Sequence, residues 1–244
     1  MEFDPATYGR SGIASDYDDL YTDVWDTTNA VTLLAELAAG GPIMEFGIGT
    51  GRLALPLRGL GLDVHGIDGS AEMVEQLRTK PDGAAIPVTI GDFGEVSAGS
   101  DFALVVLAVN TIFALPDQRA QVACFRNAAR HLAPGGAFVV EAWIPDLGAF
   151  RRNRLVRQRI LREDVVSVEA VVLESATQHM RTTQVVLRNG SVQLYPANHR
   201  YAWPSELDLM AELAGLQLES RWADWKRQPF DDDSTEHVSV YEVA

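Results

Sequence analysis

Glu45-Phe46-Gly47-Ile48-Gly49-Thr50-Gly51-Arg52 is the stretch on which the reading of this chain turns. A short apolar run over 43–46 enters it and a helical pattern over 53–60 leaves it, so it is the turn between a strand and a helix. Glycines let backbone approach a ligand closely, and the first turn of a helix offers N–H groups that have no partner inside the helix. Dinucleotide-binding units open on a similar turn, with an acid about 20 residues further on, and Asp68 suits that reading too. The spacing separates the two. A dinucleotide fingerprint has glycine or alanine where this chain has Arg52, and the acid at the strand end, Glu45, is poorly placed beside a pyrophosphate.

Outward from the turn, strands and helices alternate. Strand patterns fall at 62–67, 87–90, 102–109 and 137–143, with helices at 27–39, from Ser70 onward, and at 117–132. The run 102–109 is continuously apolar, as in a strand buried on both faces of a parallel sheet. This alternation predicts a doubly wound α/β sheet with right-handed crossovers. The period then changes. Residues 165–175 and 183–202 favour strand, with Asn189-Gly190 as a type I′ hairpin signal, and predict about three antiparallel strands inserted before a helix at 205–214. A strand pair at 216–222 and 237–243 closes the chain.

Composition narrows the partners. The chain has 244 residues, 34 Asp and Glu against 20 Lys and Arg, and net charge −14, which disfavours nucleic acid and anionic membranes. Its one cysteine, Cys124, excludes an internal disulfide and cysteine-rich metal sites. No signal peptide or 18-residue apolar run is visible, and a cytoplasmic location is the default expectation. No His, Asp and Glu spacing suggests a metal site.

Three acids stand at three successive strand ends around the glycine loop, where such sheets bind ligands. Asp68-Gly69 ends the second strand, placed to accept from both hydroxyls of a ribose. Gly91-Asp92-Phe93 ends the third, a carboxylate for an adenine amine with an aromatic beside the ring, and Met73 can pack on the adenine face. Glu45 suits the cationic amino-acid end of S-adenosylmethionine, directly or through water. Singly, Asp68 and Asp92 read as caps and Met73 as core; together the set points to S-adenosylmethionine.

The segment 45–52, Asp68-Gly69-Ser70 with Met73, and Gly91-Asp92-Phe93 resemble the motifs of class I S-adenosylmethionine-dependent methyltransferases. Leu132-Ala133-Pro134-Gly135-Gly136 and Ala214-Gly215-Leu216 match the turns before that family's fifth and sixth strands. The family usually has Asp at the place of Glu45 and often Cys at that of Ile48. The resemblance covers about residues 15–244 and implies one Rossmann-like α/β domain with a mostly parallel seven-stranded sheet. Its parts would be an N-terminal helical cap over 1–40, a cofactor-binding core over 41–144, an antiparallel insert over 145–203, and the rest of the core over 204–244.

More narrowly, Asp16-Tyr17-Asp18-Asp19-Leu20-Tyr21 and the insert resemble small-molecule methyltransferases of actinomycete natural-product pathways, including amino-sugar and lincosamide N-methyltransferases. In that group an N-terminal tyrosine helps bind the methionine carboxylate; here the role falls to Tyr17. The activity implied is methyl transfer to a small-molecule acceptor, the amine of an antibiotic-pathway intermediate. The alternatives are O- or C-methylation, and cofactor binding without catalysis.

Polar candidates near the strand ends are Asn110, assigned to the cofactor, and Glu141. Tyr8 and Tyr17 form the expected catalytic pair, with Tyr8 facing the acceptor. Phe113, Trp143 and Phe150 are candidates for the acceptor wall. His179 and His199 lie on the insert, His179 assigned to the acceptor. Residues 1–26 are too polar for a core strand yet hold three tyrosines and a tryptophan, which suits a lid. Alternating Val and Leu around Asn189-Gly190 offer a self-pairing surface, so a homo-oligomer is expected.

Overall fold

The computed structural model describes residues 13–21 and 24–243. Tyr8 lies outside them. Helices α1 (Ile13–Tyr21) and α2 (Thr27–Ala38) precede β1 (Ile43–Phe46), α3 (Ala54–Gly59), β2 (Val64–Asp68), α4 (Ala71–Thr79), β3 (Val88–Ile90) and β4 (Phe102–Leu107). Then come α5 (Gln118–His131), β5 (Leu132–Trp143), β6 (Arg154–Leu161), β7 (Val165–Glu174), β8 (His179–Arg188), β9 (Ser191–Arg200), α6 (Pro204–Leu213), β10 (Leu216–Trp222) and β11 (Glu236–Val243).

One sheet runs β3-β2-β1-β4-β5-β11-β10. Strands β1 to β5 are parallel, and β11 is antiparallel to both β5 and β10. The order reverses between β1 and β4, so the crevice of the fold opens there, beyond the ends of Phe46 and Leu107. Alternate residues serve the two faces. Val105 and Leu107 pack with Cys124, Phe125 and Met210 from α5 and α6; Leu104 and Val106 pack with Leu34, Leu57 and Leu77 from α2, α3 and α4.

Local chemistry sets the helix starts. Ser70 accepts from the Met73 N–H at 3.3 Å and Asp117 from the Ala120 N–H at 2.9 Å. The stripe that α5 buries carries polar Gln121, Asn127 and His131 beside Cys124, Phe125 and Ala128. Gln121 donates to the Ile112 and Arg200 carbonyls, and Asn127 to those of Phe93 and Val96. The helix thereby pins, from below, the loops that follow β3 and β4.

The insert is a separate sheet of four strands, β6-β7-β8-β9, where the sequence pattern predicts three. The additional strand is β6, an exposed edge whose Arg154, Arg157 and Arg159 mask its alternation. Asn189 and Gly190 join β8 and β9 with φ of 50° and 79°, as a type I′ turn requires. At one end the inner face joins the main core through Val171, Leu173 and Met180, which cluster with Ile112 and Phe113 of the turn after β4. At the other end Val165, Val186 and Tyr195 cover Ile13 and Leu20 of α1. The insert therefore spans the edge of the parallel sheet where the strands end.

Candidate active site

The loop after β1 is shaped for close approach. Gly47 and Gly51 have φ of 69° and 84°, and a side-chain carbon at Gly47 would stand 2.7 Å from Thr111 Cγ2. Gly66 on β2 leaves the room into which Ile48 folds beneath the loop. Asp68 holds the loop from the next strand. Its Oδ2 accepts from the Gly49 N–H at 2.7 Å and its Oδ1 from the Ser70 N–H at 2.8 Å. Burial raises its pKa, and those two N–H groups oppose the rise. Each oxygen keeps a further lone pair that can accept a hydroxyl. Gly69 lies between them, and Met73 is buried one turn into α4.

Asp92 is half-buried, with Oδ1 accepting from the Gly94 N–H at 2.7 Å. Gly91 donates its N–H to the Asp68 carbonyl at 2.9 Å, so the ends of β2 and β3 are tied together. Phe93, the aromatic expected beside the adenine ring, follows Asp92 directly. Its ring is 5% exposed, as is Met73, and stacks on Phe46 at 5.9 Å. Phe113, a candidate for the acceptor wall, is fully buried, and Trp143 packs edge-on against it at 4.7 Å. Trp143 itself is half-buried and remains available as a wall.

Beyond β4 the backbone is strained. Val109 and Asn110 both have positive φ, 54° and 60°, an uncommon state for a β-branched residue. Glu141 holds them there. Its Oε2 accepts from the Val109 N–H at 2.7 Å and its carbonyl from the Asn110 N–H at 3.1 Å, while its Oε1 accepts from Trp225 Nε1 at 2.6 Å. Asn110 Oδ1 accepts from the Trp143 N–H at 2.6 Å. Trp225 gave no signal in the sequence, because it lies in a polar loop far along the chain from its partner.

Glu45 lies on β1 and is 6% exposed. Burial pushes its pKa up to about 8, with Arg52 opposing and Asp68 adding to the rise. Its Oε2 is buried with no hydrogen-bond partner among the described residues. Arg52 also donates to Thr27 Oγ1 at 3.0 Å, anchoring the start of α2. Tyr17 lies on α1 with its ring 4.9 Å from that of Tyr21, against the insert. His179, assigned to the acceptor, has Nε2 2.8 Å from the Pro116 carbonyl and acts as a pin between insert and core.

The structure of the CcbJ methyltransferase from Streptomyces caelestis is 37% identical, with a TM-score of 0.90, over 99% of this chain and 100% of that one. The chain belongs to the class I S-adenosylmethionine-dependent methyltransferases. A methyltransferase-domain family also matches residues 43–136 of this methyltransferase, from β1 through the turn inside β5. Cypemycin N-terminal methyltransferase from a Streptomyces species is 27% identical over 209 residues, 83% of each chain. CalS10 from Micromonospora echinaspora, an amino pentose methyltransferase solved with S-adenosylmethionine bound, shares the fold at a TM-score of 0.70 and 17% identity, over 92% of this chain and 95% of that one. The residues of this methyltransferase fit the cofactor. The glycine loop admits backbone approach, Asp68 keeps acceptor capacity for a diol, and the orphaned Glu45 oxygen calls for a donor of positive charge.

Proposed function

We propose that this methyltransferase methylates the amine nitrogen of a small natural-product intermediate. The observation that carries the reading is the state of two candidate bases, Glu141 and His179, among the described residues. Both Glu141 oxygens are engaged by N–H donors, and His179 is held at the Pro116 carbonyl. A neutral amine attacks with its own lone pair, whereas a hydroxyl generally calls for a base or a metal. The likeness to the cypemycin N-terminal methyltransferase supports the same choice.

When bound, S-adenosylmethionine would supply a sulfonium-activated methyl group for in-line transfer, with S-adenosylhomocysteine as the leaving group. The chain's own residues supply alignment. Asp68 takes the ribose hydroxyls, Asp92 the adenine amine, and Met73 the adenine face. Glu45 takes the ammonium, and Tyr17 the methionine carboxylate. Gly47, Gly49, Gly51, Gly69 and Gly91 let the backbone close on the cofactor, and Asn110 fixes the edge where methyl and acceptor meet. Trp143 walls the acceptor. Helix α1, under the insert, excludes water, which favours the aligned attack.

Incubation with labelled S-adenosylmethionine and a metabolite library, followed by a mass search for methylated products, tests the reading. Products on amines are expected. Products confined to hydroxyl or carbon acceptors would overturn it.

The outer face of the insert favours self-association. Leu161, Val166, Leu187 and Val192 pair across all four strands in one row and are 68%, 38%, 44% and 61% exposed. We expect a homo-oligomer through this row, and the double substitution Leu187→Lys with Val192→Lys to reduce its mass in light scattering. A native protein that stays monomeric at high concentration would count against it. Among the described residues no helix is long and apolar enough to cross a membrane.

A further inference from the structure

The glycine loop is also held by a side chain outside every motif. Lys80 follows the last turn of α4, and its Nζ donates to the Thr50 carbonyl at 2.7 Å. The same ammonium pairs with Asp18 Oδ2 on α1 at 2.5 Å, and Thr50 Oγ1 donates to Asp18 Oδ1 at 2.6 Å. One carboxylate, one ammonium and both polar oxygens of Thr50 thus close a ring. The ring joins three segments, α1, the cofactor loop and the end of α4. Thr50 is 2% exposed and stands between Gly49 and Gly51, so its two contacts set a loop that has little stiffness of its own.

The attachments of α1 are unequal. Toward the insert it has an apolar contact through Ile13 and Leu20. On that side it also has Tyr195 donating to Asp16 Oδ2 at 3.0 Å, Tyr21 to Gln184, and Arg188 pairing with Asp16 and Asp19. Among the described residues its polar link to the cofactor loop runs through Asp18. Asp18 is about half exposed and the Lys80 side chain 28% exposed. The Asp18 ring is thus the polar link between α1 and the cofactor loop among the described residues, and the helix has its larger set of polar contacts with the insert.

We propose that Lys80 is a positioning residue for methyl transfer: through Asp18 and the Thr50 carbonyl it ties the docking of α1 to the conformation of the cofactor loop. With α1 docked, Thr50 is fixed at both polar atoms. On either side of it, Gly49 is held by Asp68 and the Gly51 N–H by the Ile48 carbonyl at 3.0 Å. By reciprocity, a ligand that orders this loop also favours docking of the helix. The inference requires the cofactor alone and is independent of which atom accepts the methyl group.

The test uses the full chain, with S-adenosylhomocysteine as probe, and compares Lys80→Met, Asp18→Asn, their double variant and Lys80→Arg. Calorimetry reads the affinity, and amide hydrogen exchange reads residues 13–21 with and without the probe. In the native protein the probe should slow exchange over 13–21. Each single variant should lose about 3- to 10-fold in affinity, the range for a partly screened charged contact, and should lose the slowing. The double variant should match the singles, because both cut one link, and Lys80→Arg should recover part of the affinity. Unchanged affinity and protection in both singles would overturn the proposal, as would losses that multiply in the double variant. Should Lys80→Met fold poorly, Asp18→Asn carries the same test from a half-exposed helix position. Exchange that rises equally with and without the probe would assign the ring a purely structural role and overturn the coupling.

Discussion

Asp68→Ala is expected to weaken S-adenosylhomocysteine binding by roughly 10- to 1,000-fold, about 1.4–4 kcal/mol. Two losses add. The ribose hydroxyls lose a charged acceptor, and the Gly49 and Ser70 N–H groups lose theirs inside the protein. The second loss disturbs the site itself, since Gly49 belongs to the cofactor loop and Ser70 caps the helix that carries Met73. Asp68→Asn should fall between, because one oxygen can still accept while the amide group opposes the N–H beside it. Calorimetry on the folded variants reads the affinity, and a melting curve separates a damaged loop from an unfolded chain. The same titration with NAD should show no binding to the native protein, since Arg52 and Glu45 replace what a pyrophosphate needs. Unchanged affinity for S-adenosylhomocysteine in Asp68→Ala would remove this carboxylate from the site.

The parallel half of the fold was legible because its signals are local. Phe102 to Leu107 reads as a buried strand from composition alone, and Ser70 and Asp117 announce the helices they cap. The glycine loop is legible for the same reason: turn, acid and helix start sit within eight residues. What the sequence hid depends on distance or on polar groups used as core. Gln121, Asn127 and His131 look like the solvent face of α5, yet they are buried: Gln121 and Asn127 donate to loop carbonyls, and His131 Nε2 accepts from the Ala98 N–H. Asn127 also holds the Phe93 carbonyl, and the Phe93 ring stacks on Phe46. The Glu141–Trp225 clasp and the Lys80–Asp18 ring join residues 84 and 62 positions apart, and neither type nor spacing reveals such a pair. Strand β6 was hidden by its arginines, which suit an exposed edge and read as loop.

Glu45→Gln is expected to abolish a proton release that accompanies cofactor binding. In the free protein, burial holds this carboxyl's pKa near 8, so at pH 6 to 7 it is mostly protonated. Its sign in stability follows. A carboxyl whose folded pKa is raised stabilises the fold fully below its ordinary value near 4.5, and the contribution is lost as pH rises from there through about 8. The amount is of the order of a few kcal/mol, and the glutamine variant should show a flatter melting temperature across this window. A ligand ammonium beside Oε2 reverses the preference, because that oxygen then has the partner it lacks. Binding at pH 6 to 7 should therefore expel close to one proton, and affinity should rise toward pH 8 by up to about tenfold per pH unit. Calorimetry in phosphate and in Tris measures the release directly, since the apparent enthalpies differ by the protons that each buffer takes up. The native protein should show the difference between pH 6 and 7, below the range where an ordinary α-amino group begins to lose its own proton. The variant should show none, and its affinity should change little with pH. Equal enthalpies in both buffers for the native protein would mean that Glu45 does not meet the ammonium, and its buried oxygen would then need another partner.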